Sequence, residues 1–293
     1  MLRLVLPKGS LEQATLELFA DADLAVRRSS DVDYRAAIAD SRITDVRILR
    51  PQEIPVYVAA GLFDLGITGR DWVAERGADV LSLGELRYAK ESAKPVRVVL
   101  AVAADSPYET IEDLAARNGQ LRVSTEYPEL TKQCLADHGI EAEISVSYGA
   151  TEAKVPDIAD CVVDMTETGR ALRAAGLRII HTLLVSNTEL VANQASAADP
   201  KMRRAMEQIL TLLQGTIEAR DKVLVKLNVA ADGLDGVLSR LPALRSPTVS
   251  ELAGGGYALE TVVPKGEINT LIPALKEEGA TDILELALSK IVH

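Results

Sequence analysis

From residue 2 onward the chain alternates short apolar runs with segments of helical period, and that alternation restricts it to a layered α/β fold with a mainly parallel sheet. Residues 2–6 read as a buried strand. After Pro7-Lys8-Gly9-Ser10 comes a helix with Leu11, Thr15, Leu18 and Ala22 on one face, and Ser10 is placed to cap it. The pattern repeats as a strand at 46–49, a helix at 51–60 closed by Gly61, a strand at 65–67 and a further helix opened by Thr68-Gly69-Arg70-Asp71. A second unit starts near residue 95 with the longest clear strand, 96–102, and continues with strands at 121–124, 144–146 and 161–163 separated by helices. Near 179–193 the rhythm changes as the chain crosses back. The expected lobes are therefore 1–94 with 181–216, and 95–180. A helix at 200–215 leads into 217–293, whose strand–helix–strand–strand–helix–strand pattern is the ferredoxin-like arrangement of small regulatory domains.

Charge bounds the partners. Thirty-two Lys and Arg against 43 Asp and Glu give a net charge of −11, which argues against a nucleic-acid surface and against a polybasic membrane anchor. Anionic small molecules remain allowed, because a site can be locally positive inside an acidic protein. No segment approaches the roughly 20 apolar residues of a membrane span, and residues 1–6 do not have the pattern of a secretion signal. A cytoplasmic protein is expected. Two cysteines and three histidines without ligand spacing point to neither a disulfide scaffold nor a metal site built on those residues.

Five loops carry chemistry. In Val163-Asp164-Met165-Thr166-Glu167-Thr168-Gly169-Arg170-Ala171 an apolar strand ends in a carboxylate and a Thr/Gly loop opens a helix. Such a loop offers backbone N–H groups and hydroxyls to a phosphate, whereas Asp164 can only accept and so suits a sugar hydroxyl pair. Lys8 stands at the end of the first strand, where open α/β sheets hold ligands. Arg50 and Asp71 occupy equivalent strand ends, whereas Asp64 also reads as a plain connector. Tyr127, in Thr125-Glu126-Tyr127-Pro128, is placed either to stack on a base or to pack at the crevice edge. Gly149-Ala150-Thr151-Glu152 opens onto the same crevice.

In this order the five pieces, with Leu241-Pro242-Ala243-Leu244-Arg245-Ser246-Pro247-Thr248-Val249 and Val262-Val263-Pro264-Lys265 behind them, resemble the ATP phosphoribosyltransferase family in its long form. The resemblance implies two periplasmic-binding-protein-like lobes with parallel-rich sheets plus a C-terminal ferredoxin-like, ACT-like regulatory domain. It implies a glycosyltransferase that moves the phosphoribosyl group of phosphoribosyl pyrophosphate to adenine nitrogen 1 of ATP, the first step of histidine biosynthesis. Mg2+ would be held through substrate phosphates, L-histidine would inhibit, and the chain would form a homo-hexamer in equilibrium with a dimer. The resemblance places Lys8, Glu152 and Asp164 in catalysis. Phosphoribosyl pyrophosphate falls to Asp164, Thr166, Glu167, Thr168, Gly169, Arg170 and Ala171, ATP to Arg50, Gly69, Asp71 and Tyr127, and histidine to Asn228, Leu244, Ser246 and Thr248. Three departures from the family pattern bear on these roles: Ser10 stands where many members carry arginine, Ala171 replaces a common threonine, and the stretch from Glu152 to Asp164 is one residue short. A two-lobed binding or regulatory protein without catalysis is the rival reading.

Overall fold

The computed structural model describes residues 1–30, 33–88, 96–117, 119–242 and 246–293. Leu244 lies outside the described residues. The chain divides into two compact units, Met1–Glu17 with Leu24–Leu210, and Leu18–Asp23 with Thr211–His293.

The first unit contains two lobes. Lobe I is formed by β1 (Leu2–Pro7), α1 (Glu12–Asp21), β2 (Val26–Arg27), β3 (Arg35–Ile38), β4 (Ile43–Leu49), α2 (Ile54–Ala59), β5 (Leu65–Gly69), α3 (Arg70–Glu75) and β6 (Val80–Glu85). Lobe II is formed by β7 (Val96–Ala103), α4 (Ile111–Ala115), β8 (Leu121–Thr125), α5 (Pro128–Asp137), β9 (Ala142–Val146), a 3-10 turn (Thr151–Lys154), β10 (Cys161–Thr166), α6 (Arg170–Ala174) and β11 (Leu177–Ser186). The chain then returns through β12 (Thr188–Asn193), α7 (Gln194–Ala198) and the 20-residue α8 (Pro200–Ala219). The return falls at Asn187, not near residue 181, because β11 pairs along β7 as far as Ser186 while β12 pairs with β5 and β6. Helix α1 starts at Glu12, two residues past Ser10.

Each lobe is built on a sheet with a parallel centre and antiparallel margins. The seven strands of lobe I run β2-β3-β4-β1-β5-β12-β6, with β4, β1 and β5 parallel. The five of lobe II run β11-β7-β10-β8-β9, with β10, β8 and β9 parallel. Leu2, Leu4, Val5 and Leu6 of β1 are all buried, as expected for a central strand covered on both faces. Gly66 in β5 lets α2 lie close: a Cβ there would sit 2.8 Å from Ile54 Cγ2 and 3.0 Å from Val58 Cγ2. Asp64 is structural. Its carboxylate accepts from the Arg3 backbone and guanidinium and from Ser196 Oγ, and these bonds hold its pKa below the usual range against the opposing effect of burial.

The second unit holds β13 (Lys222–Val229), α9 (Leu234–Arg240), β14 (Thr248–Glu251), β15 (Tyr257–Pro264), α10 (Ile268–Glu277) and β16 (Thr281–Ala287). These form one antiparallel sheet in the order β14-β15-β13-β16. Val223, Val225, Leu227, Leu259 and Val263 on the sheet share a core with Val237, Leu271 and Leu275 from the helices. The last strand stops at Ala287. Among the described residues no helix is long and apolar enough to cross a membrane.

Candidate active site

Parallel strands converge their C-terminal ends, and in open α/β sheets that edge is where loops collect a ligand. In lobe I the contiguous order β4-β1-β5 sets Arg50, Lys8 and Gly69 in one row at that edge. The backbone N–H of Lys8 donates to Leu49 O at 2.7 Å, and its ammonium lies 4.2 Å from the centroid of the Tyr34 ring. Arg50 is exposed.

In lobe II the order β10-β8-β9 brings together Asp164 with its Thr/Gly loop, Glu126 with Tyr127, and the segment from Ser147 to Lys154. Asp164 accepts the Met165 backbone N–H at 2.7 Å. Burial, aided by the nearby Glu152 and Glu126 carboxylates, pushes its pKa up to about 6 against the lowering effect of that bond. Asp164 therefore ionises close to neutrality and carries an unneutralised charge at the crevice edge.

The loop after β10 is pre-shaped. Gly169 takes φ +73°, which glycine adopts without strain, and its N–H donates to Thr166 Oγ1 at 2.9 Å. A second, longer bond runs from Arg170 N–H to Thr168 Oγ1 at 3.4 Å, and Arg173 closes the loop by donating to Thr168 O at 2.9 Å. Both hydroxyls act as acceptors inside the loop, which leaves their O–H groups as donors for a ligand. Met165, Thr166, Glu167, Thr168, Arg170 and Ala171 line an open depression of about 500 Å³. Helix α6 has only five residues, so the polar character of the loop comes from its hydroxyls and backbone amides more than from a helix dipole.

Asp71 and Tyr127 meet each other. Tyr127 Oη donates to Asp71 Oδ2 at 2.9 Å and Ser186 Oγ donates to Asp71 Oδ1 at 2.5 Å, so one buried carboxylate ties α3 of lobe I to two segments of lobe II. Burial and the Asp71 charge raise the Tyr127 pKa, and the phenol stays protonated. Trp72, the chain's single tryptophan, stacks on Tyr127 with centroids 4.7 Å apart and belongs to the lobe II core cluster. One turn on, Glu75 Oε1 and Oε2 accept the backbone N–H groups of Glu129 and Leu130 at 3.2 and 3.0 Å. Glu75 is only 4% exposed. It caps α5, whose own N-cap residue, Tyr127, provides no side-chain cap. Sequence reasoning missed Trp72, Glu75 and Ser186. The available signal was a helix opening Tyr-Pro, with no Ser, Thr, Asp or Asn to satisfy its first amides.

Gly69 is required for this junction. Its backbone is extended at φ −80°, yet a Cβ would stand 2.1 Å from Asp71 Oδ1. Gly69→Ala is expected to displace the Asp71 carboxylate and lower stability by about 2 kcal/mol. Thermal unfolding checks this, and an unchanged melting temperature would show that the junction yields freely.

In the second unit Asn228 and Thr248 lie on one sheet face, with β15 between their strands: Thr248 pairs with Glu260, and Asn228 with Ala258. Asn228 is thus not on a strand adjacent to Thr248. Its Nδ2 donates to Asp282 Oδ2 at 3.0 Å. Ser246 is exposed.

Two lobes of parallel-centred sheet, with a carboxylate beside a hydroxyl-lined Thr/Gly loop at the strand ends, define a two-lobed α/β protein with a polar crevice. The sequence profile of ATP phosphoribosyltransferase matches residues 50–215, and that of the HisG C-terminal domain matches 219–290. The ATP phosphoribosyltransferase of Nitratidesulfovibrio vulgaris strain DP4 is 47% identical over 99% of this chain and 98% of its own length. That of Pelotomaculum thermopropionicum is 44% identical over 99% of both. A solved chain from the ATP phosphoribosyl transferase complex of Thermotoga maritima aligns at TM-score 0.62 and 26% identity, covering 74% of this chain and 99% of that one. The chain belongs to the ATP phosphoribosyltransferase family.

Proposed function

We propose that this chain joins adenine nitrogen 1 of ATP to the anomeric carbon of phosphoribosyl pyrophosphate and releases pyrophosphate, the first step of histidine biosynthesis, in the cytoplasm. The observation that carries this reading is the pairing, inside the family-matched segment, of a crevice carboxylate ionising near neutrality with the pre-shaped Thr166–Arg170 loop. The nitrogen already holds its lone pair, so the C–N bond forms without a strong base. The anomeric C–O bond breaks as its electron pair leaves on the pyrophosphate oxygen.

Catalysis then rests on placement and charge. Thr166, Glu167, Thr168, Gly169, Arg170 and Ala171 form the seat of the 5′-phosphate, with the Thr166 and Thr168 hydroxyls donating. Asp164 and Glu152 accept the ribose hydroxyls, and their charge stabilises positive character at the ring as the leaving group departs. Lys8 meets the pyrophosphate. Arg50 and the Gly69 backbone line the ATP side, with the Asp71–Tyr127 pair shaping its wall. Among the described residues no cluster of three or more His, Cys, Asp or Glu is arranged to hold a metal. The neighbouring Asp164 and Glu152 carboxylates would fit Mg2+ carried on substrate phosphates, since Mg2+ takes one or two carboxylates plus phosphate oxygens. The ion would supply charge neutralisation on the leaving pyrophosphate.

The β-α-β-β-α-β unit serves as an ACT-like regulatory domain that binds L-histidine near Asn228, Leu244, Ser246 and Thr248, and the chain assembles as a hexamer. Purified protein with ATP, phosphoribosyl pyrophosphate and Mg2+ is expected to form phosphoribosyl-ATP, with histidine lowering the rate. Thr248→Val should remove the histidine response and leave the basal rate intact. A protein that binds both substrates and makes no product would instead be the two-lobed receptor.

A further inference from the structure

Lys154 ends the 3-10 turn that follows the β9 loop, and it has an unusual set of partners. Its ammonium donates to Ser147 Oγ at 2.6 Å and to Ser124 Oγ at 3.2 Å. Ser124 and Ser147 are buried, and Ser147 is tied in turn to Thr151 Oγ1 at 2.8 Å. No carboxylate pairs with Lys154 among the described residues, although the chain carries 43 acids to 32 basic residues. Other half-buried cations here, such as Arg28, Arg42 and Arg117, each pair with an acid. Two hydroxyls can aim an ammonium but cannot neutralise it, and the two bonds they accept leave the third N–H of Lys154 for a ligand.

Its position says what would neutralise it. Ser124 is the penultimate residue of β8 and Ser147 directly follows β9, so the ammonium sits at the crevice edge of the parallel strands. Across the sheet β10, which carries both Asp164 and the Thr/Gly loop after it, is followed by β8 and β9, over which Lys154 sits, and the Glu152 and Glu126 carboxylates are near enough to act on Asp164. With strands about 4.8 Å apart, the Thr/Gly loop and the ammonium are separated by one to two strand spacings, with the Asp164, Glu152 and Glu126 carboxylates at the same strand edge. That is the pattern for a sugar whose hydroxyls meet carboxylates and which carries an anionic group at each end.

We infer that Lys154 binds the diphosphate end of the phosphoribosyl donor, opposite the loop that seats its 5′-phosphate. The assignment rests on the phosphoribosyltransferase reading above. It adds a lobe II cation to Lys8 of lobe I, and it uses the serine pair to hold the ammonium ready.

The test uses the full chain and two probes, inorganic pyrophosphate and ribose 5-phosphate, with binding followed by calorimetry. Lys154→Met is expected to weaken pyrophosphate at least tenfold and to leave ribose 5-phosphate within twofold. Lys154→Arg, which keeps the charge, should restore most of the pyrophosphate affinity. In turnover, the KM for phosphoribosyl pyrophosphate should rise at least tenfold in Lys154→Met while the KM for ATP stays within twofold. Equal losses for both probes, or a loss that Lys154→Arg fails to repair, would make Lys154 a structural tie and overturn the assignment. Should the wild-type chain bind both probes and make no product, the transferase reading fails, while the pyrophosphate comparison still decides the role of Lys154.

Discussion

Asp164→Asn is expected to cut phosphoribosyl-ATP formation by about two orders of magnitude or more, and to raise the melting temperature at neutral pH. The first effect follows from the role proposed for Asp164 at the reacting ribose: an amide cannot supply a negative charge there, and losing one preorganised electrostatic group costs about 10²–10³ in rate. The second follows from the raised pKa. An unfolded aspartate titrates near 3.9, whereas Asp164 in the folded protein titrates at about 6. Between those values the native state binds more protons than the unfolded state, so stability falls as pH rises through that window, and the penalty is complete above about pH 6. Solvent at this partly open position screens the interaction, leaving a penalty on the order of 1 kcal/mol, or about 2–4 °C in melting temperature. Below pH 4 wild type and Asp164→Asn should unfold together. Scanning calorimetry across pH 4–8 checks both ends. A variant less stable than wild type at pH 7.5 would mean that the carboxylate cluster is held by contacts, with little repulsion to relieve. The same titration predicts that the rate declines as pH drops below about 6.

Glu75→Ala should be the most destabilising single change at the lobe junction. It removes the acceptor for two backbone N–H groups at the start of α5, and an unsatisfied buried donor costs about 1–3 kcal/mol. Burial already raises the Glu75 pKa, so part of that cost is returned when the charge is deleted, and the net loss should be about 2–3 kcal/mol. Glu75→Gln keeps one acceptor oxygen and turns the other into a donor facing an N–H, so its loss should be about half as large. Trp72 stacks on Tyr127 beside this cap, and as the only tryptophan it reports on the junction directly. Its emission should shift to the red in Glu75→Ala before global unfolding. If the emission and the melting temperature both stay at wild-type values, water satisfies the α5 amides and the cap carries no weight.

Much of the candidate site could be read from the chain because it is built from contiguous loops. Asp164 and the Thr/Gly stretch after it lie within eight residues, and their shape depends on local backbone: a glycine at positive φ and two threonines whose hydroxyls accept the amides of Gly169 and Arg170. The strand-end cations Lys8 and Arg50 were visible for a similar reason, since an apolar run followed by a polar break marks the edge of a parallel strand. What could not be read was how distant loops share their hydrogen-bonding capacity. Asp71 and Tyr127 look like free crevice residues in the sequence. They lie 56 residues apart and are bonded to each other, a pairing that only the docking of α3 on α5 creates.

The apolar alternation and the ordered loop motifs thus determined a two-lobed α/β chain with a Thr/Gly loop at a strand end and a β-α-β-β-α-β unit behind it, because strand and helix periods and loop chemistry are local properties of neighbouring residues. The tertiary structure decided the remainder: the return of the chain at Asn187, the trans-lobe cap from Glu75, the rise of the Asp164 pKa beside Glu152 and Glu126, and the unpaired ammonium of Lys154 on two buried serines. Each depends on which groups are brought within a few ångströms across segments far apart in the chain, and there burial and the nearest charge, more than residue type, set what a side chain can do.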